Sequence, residues 1–84
     1  MHAYVYKSLA KADTYVYLRE RDAFGALPAT LARMLGELRF VLEVELSAGR
    51  RLAREDPATV RASLAERGWH LQLPPGAAPD RDDG

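Results

Sequence analysis

Two histidines, a pair of same-strand glutamates and two serines are the side chains here whose types could do chemistry. His2 and His70 could ligate a metal or act as a general base, and Glu43 with Glu45 would lie on one strand face as a carboxylate pair. Their spacing does not gather them. His2 sits at the start of the chain and His70 falls on what reads as the outward face of the last strand. Same-face glutamates on a solvated strand are ordinary surface charge. The surface reading is preferred, so no metal site and no cofactor is assigned. Ser47 and Ser63 have no histidine at a predictable position, and the chain carries no Gly-rich phosphate loop, no G-x-S-x-G elbow and no Walker pattern. Asp56-Pro57 opens a helix whose first N–H groups could hold an anion, but Asp56 itself fills the cap. No catalytic residue is nominated, and an enzyme with a small-molecule pocket is the least favoured function.

Two patches remain as candidate interaction surface. Tyr4, Tyr6, Tyr15 and Tyr17 fall in two alternating runs and, gathered on an open sheet side, would form a platform able to pack a partner protein or stack bases. Tyrosines also pair across strands simply to stabilise a hairpin. Arg50, Arg51 and Arg54, with Arg19 and Arg21 as possible neighbours, could clamp phosphate; Glu55 and Asp56 partly cancel that field, as on an ordinary solvated turn.

The elements that would position these patches are bounded by length and composition. At 84 residues the chain is one domain, and with no cysteine it has neither disulfides nor a thiolate site. Twelve Lys and Arg balance twelve Asp and Glu, far from the basic excess of a typical nucleic-acid binder. The start, Met1 to Lys7, lacks the basic and long apolar run of a signal peptide, and no window approaches a membrane span. The expectation is a soluble cytoplasmic protein.

Ala3 to Lys7 and Thr14 to Leu18 alternate strictly around a turn-compatible loop and predict a hairpin. If its valines share a face, so do its four tyrosines. Arg19 to Asp22 exits to solvent and Phe24 to Leu27 anchors the return. Pro28 suits a first helical turn, Leu31, Met34 and Leu35 follow at helical spacing, and Gly36 is a stop. Leu38, Phe40, Leu42, Val44 and Leu46 then alternate with Arg39, Val41, Glu43 and Glu45, which predicts a strand with one greasy face. Ser47 to Arg50 offers a tight turn, and Arg51 to Ala53 a short returning strand. Asp56-Pro57 starts a helix with Val60 and Leu64 as its apolar stripe, ended by Gly68. Trp69 to Leu73 forms the last strand, with Trp69, Leu71 and Leu73 inward and His70 and Gln72 outward, stopped by Pro74-Pro75.

The predicted fold is α+β: a single small domain with a mainly antiparallel sheet of four to five strands and two helices on one face, in the order β-β-α-β-(β)-α-β. The domain spans 1–75, and 76–84 is read as a disordered tail.

This pattern resembles the YcgL family of small bacterial proteins. The residues that carry the resemblance are Tyr4 to Ser8 with Thr14 to Leu18, the Leu27-Pro28 helix entry, Leu46 with Gly49 to Leu52, and Gly68 to Pro75. It implies a small α/β domain with a mainly antiparallel sheet and carries over no catalytic residues. The chain ends soon after Pro74-Pro75, where relatives often run on longer. The expected function is a non-enzymatic cytosolic interaction module, a monomer, binding another protein through a tyrosine-rich sheet face. The alternative is an RNA-binding accessory that joins stacking tyrosines to the arginine-rich turn. A protein partner is preferred over RNA, and no membrane role is expected.

Overall fold

A computed structural model describes residues 1–47 and 56–74. The order is β1 (His2–Ser8), β2 (Tyr15–Leu18), a 3-10 turn (Phe24–Ala26), α1 (Ala29–Leu35), β3 (Leu38–Glu45), α2 (Pro57–Arg67) and β4 (Trp69–Gln72). The strands form one four-stranded sheet, β3-β1-β2-β4, antiparallel at every pairing. The α+β class and strand sequence agree with the reading above. The turn at 48–50, the short strand at 51–53, Arg50, Arg51 and Arg54, and the tail at 76–84 lie outside the described residues.

Local chemistry sets the helix ends. Asp56 caps α2, its Oδ2 accepting from the Thr59 N–H at 3.3 Å and the Thr59 hydroxyl at 2.9 Å, with Pro57 beginning the first turn. Gly68 closes α2 in the left-handed region at φ 87°, donating its N–H to Leu64, and the chain turns directly into β4. Gly36 ends α1 at φ 65°, where a Cβ would also stand only 3.2 Å from the Ala10 Cβ. Buried Ser8 ties that end to the hairpin: its hydroxyl donates to the Leu35 carbonyl at 2.7 Å and accepts from the Lys11 N–H at 3.0 Å.

The expected placement of both helices on one face is corrected. Val60 and Leu64 of α2 pack with Ala3, Val5, Tyr17, Val44 and Leu46. Leu35, Leu31 and Ala32 of α1, with Leu27, pack with Tyr6, Val16 and Leu18. Alternation puts these two sets on opposite sides of β1 and β2, so the sheet is covered on both faces. Both faces of the hairpin are apolar enough to need cover, and each takes one helix.

A second correction concerns β3. Val5 pairs with Leu42 but Tyr6 with Phe40, so Val41 is an extra residue and the strand carries a β-bulge. The bulge reverses the facing of everything beyond it. Leu38 and Phe40 lie on the α1 side with Ser8 and Tyr6, whereas Leu42 and Val44 lie on the α2 side with Val5 and Ala3. The single greasy face expected from period-2 alternation is therefore divided between the two cores.

In β4 the expected sidedness also changes. His70 and Gln72 are buried under α2, Trp69 and Leu71 are half-buried on the α1 side, and Leu73 is exposed. The polar pair can be buried because it is hydrogen-bonded: the Tyr17 hydroxyl donates to Gln72 Oε1 at 2.9 Å, and His70 Nδ1 lies 3.2 Å from Ser63 Oγ.

Candidate functional site

The hairpin register decides the fate of the tyrosine platform. Val5 pairs with Tyr17 and Tyr6 with Val16, so valine faces tyrosine across the strands. Tyr4 and Tyr6 lie on the α1 side, Tyr15 and Tyr17 on the α2 side, and the four are not brought onto one face. Tyr6 and Tyr17 retain 1% and 6% of their exposure, too little for a ring face to meet a base or a partner; Tyr4 and Tyr15 are half-buried. Alternation within each strand is compatible with either arrangement, and the pairing register of the hairpin decides between them.

Each buried tyrosine has a specific post. The Tyr6 hydroxyl donates to Asp22 Oδ1 at 2.9 Å and accepts from the Asp22 N–H at 2.7 Å, pinning a residue held at φ 60° in the 19–27 loop. Its ring meets Phe24 and Phe40 edge-on, with centroids 5.0 and 5.6 Å away. Burial pushes the Tyr6 hydroxyl above the ordinary tyrosine value, and the Asp22 N–H partly opposes that rise. Tyr17 meets His70 edge-on at 5.8 Å.

The chemistry-bearing residues are also now placed. Ser63 and His70, unconnected in the sequence reading, meet where α2 returns into β4 through Gly68; a seven-residue separation across a glycine-closed turn was the signal available. Arg67 Nη2 also donates to the Ser63 hydroxyl at 3.3 Å. The imidazole is buried in the layer between α2 and the sheet, where the pair fixes the helix to the strand. Glu43 and Glu45 do share a face. His2 Nδ1 stands 2.8 Å from Glu43, and the terminal ammonium 3.4 Å from Glu45. A hydrogen bond from Ser47, helped by that ammonium, holds the Glu45 carboxyl below the usual glutamate value. Among the described residues no three or more His, Asp or Glu converge as metal ligands.

What the sequence reading missed is apolar. A cleft of about 190 Å³ opens on the α1 side, lined by Phe24, Leu27, Ala32, Gly36 and Leu38. Phe24 is 39% exposed at its wall, and Phe40, Val41 and Leu42 of β3 stay 36%, 43% and 44% exposed. Arg21 lies over the Phe40 ring, 4.3 Å from its centre. Phe24 and Leu27 were legible as a loop anchor, but their union with α1 and β3 depends on which face α1 covers.

A four-stranded antiparallel sheet with one helix on each side, closed by a Gly-Trp strand and bearing an apolar cleft, defines a small α+β domain. The YcgL domain model matches residues 3–75, and the chain belongs to the YcgL family. It is similar to a YcgL domain-containing protein of Stenotrophomonas maltophilia, 60% identical over 78 residues that cover 93% of this chain and 91% of the relative. A YcgL domain-containing protein of Thioalkalivibrio sulfidiphilus is 55% identical over 75 residues, 89% and 93% of the two chains. One from Xanthomonas euvesicatoria is 57% identical over 74 residues, 88% and 86%. No helix among the described residues is long and apolar enough to cross a membrane.

Proposed function

We propose that this domain is a non-enzymatic interaction module of the cytoplasm that binds another protein, with the apolar cleft beside α1 as its contact point. The tyrosines that suggested a platform serve the two cores instead. The observation that carries the reading is an apolar opening lined by Phe24, Leu27, Ala32, Gly36 and Leu38, with Phe24 still exposed, a setting that suits an apolar anchor side chain. The RNA alternative needed stacking rings, and Tyr6 and Tyr17 present none to solvent.

The test is a photo-crosslinking side chain, p-benzoylphenylalanine, in place of Phe24, with the same group at exposed Glu66 of α2 as control. Irradiation in the producing cells is expected to give a discrete protein adduct from position 24, absent from position 66 and abolished by Ala32→Phe, which fills the cleft. Equal labelling from both positions, or an adduct indifferent to Ala32→Phe, overturns the reading.

A further inference from the structure

Among the described residues β3 is an edge of the sheet, eight residues long, with Phe40, Val41 and Leu42 exposed along it. Such an edge presents unpaired N–H and C=O groups, and proteins ordinarily blunt it. The Val41 bulge is one such device, because it spoils the two-residue rhythm a regular strand would need. It does not spoil the match to a strand carrying the same bulge.

The outward-pointing groups can be counted from both ends. At one end Leu46 donates to Met1, and at the other Leu9 donates to Glu37, so the odd residues of β1 bond toward β3. Carried through the register, this turns the backbone of Glu37, Arg39, Val44 and Leu46 inward, with Leu42 and the bulged Val41 together opposite Val5. Among the described residues, the groups left facing out belong to Leu38, Phe40, Glu43 and Glu45. The gap between Phe40 and Glu43 is three residues instead of two.

We infer that the partner fitted to this edge is a second copy of the chain, paired antiparallel about a two-fold axis between Val41 and Leu42. In that register Phe40 faces the partner's Glu43 and Leu38 faces the partner's Glu45, so all four outward-bonding positions meet one another and bulge lies opposite bulge. The sheet faces agree, as the same alternation requires. Leu38, Phe40, Glu43 and Glu45 share the face of Ser8, Tyr6, Tyr4 and His2, while Arg39, Leu42 and Val44 share the other. A shift by one residue would break both matches. Charge agrees as well: Arg21 lies over Phe40, and the partner's Glu43 arrives directly opposite that ring, within reach of the guanidinium twice by symmetry. Val41 and Leu42 of both copies close over the centre. The two described sheets join through their β3 edges, and of the residues lining the cleft beside α1 only Leu38 lies in the seam.

Sedimentation velocity of the full chain from about 10 µM to about 1 mM tests it. The sedimentation coefficient is expected to rise to that of a dimer. Arg21→Glu and Glu43→Arg should each raise the dissociation constant about tenfold or more, and the two together should restore it. Circular dichroism of each variant checks that the fold is kept. A monomer throughout the range, a dimer indifferent to both single changes, or failure of the double variant to recover overturns the inference. None of these outcomes depends on crosslinking from Phe24.

Discussion

Replacing Tyr6 by phenylalanine removes one oxygen and leaves the ring contacts with Phe24 and Phe40 in place. That oxygen both donates to the Asp22 carboxylate at 2.9 Å and accepts from the Asp22 N–H at 2.7 Å. A bond to a carboxylate is worth about 1.5–3 kcal/mol and a neutral one about 1. Asp22 is exposed, so water can take over much of both roles, and the expected net loss is about 1–2 kcal/mol. A domain of this size holds about 5–10 kcal/mol, so the loss should lower the melting temperature by roughly 5–10 °C. Urea unfolding followed by Trp69 fluorescence measures it. Tyr4→Phe is the control: its hydroxyl makes no hydrogen bond among the described residues, so the change should stay within about 0.5 kcal/mol. A Tyr6→Phe variant as stable as the parent, or a Tyr4→Phe variant that loses more, would refute the assignment of Tyr6 as the anchor of the 19–27 loop.

The Ser8→Ala variant should lose about 1–3 kcal/mol, because it strips a partner from both the Leu35 carbonyl and the Lys11 N–H at a buried site; chemical denaturation reads this directly. Gly68→Ala forces a Cβ into the left-handed region at φ 87° and should cost about 1–2 kcal/mol in the same assay, although its Cβ would find ordinary room 3.6 Å from Ala26. The raised Tyr6 hydroxyl means that the folded state favours its neutral form. Its stabilising contribution is therefore complete below the ordinary value of 10.0 and is lost as pH rises through the raised folded value; the stability gap between parent and Tyr6→Phe, followed by denaturation on the alkaline side, should shrink there. Glu45 has the opposite sign: its lowered carboxyl contributes above the ordinary value of 4.5, and Glu45→Gln should flatten part of the loss on acidification.

Elements with strong end signals were legible. Asp56-Pro57 and Gly68 bracket α2 where the sequence placed it, because capping depends on neighbours within a turn. Pro28 and Gly36 enclose α1 with Pro28 one position earlier than expected, as the cap instead of the first turn. The facing of side chains was less legible, since it depends on partners far along the chain. Nothing between Leu38 and Leu46 marks Val41 as the extra residue; the bulge exists because β3 must serve the α1 core at one end and the α2 core at the other. The tyrosines follow from the same cause. Alternation within each run was right, but the pairing of Val5 with Tyr17 comes from the hairpin register. His70 and Gln72 looked outward because they are polar, and they are buried because Tyr17 and Ser63 supply partners from another strand and a helix. The apolar cleft needed the position of α1, which no local signal carries.

The hairpin divides its tyrosines between two cores and so leaves the exposed apolar surface elsewhere. Proton NOE spectroscopy on the full chain tests it most directly. The expected spectrum has Hα to Hα contacts for Val5 with Tyr17 and Lys7 with Tyr15, the Tyr6 ring beside Leu35 and Val16, and the Tyr17 ring beside Val60 and Leu64. Direct contact between the Tyr6 and Tyr15 rings, with Val5 opposite Val16, would put the four tyrosines on one face and contradict this division.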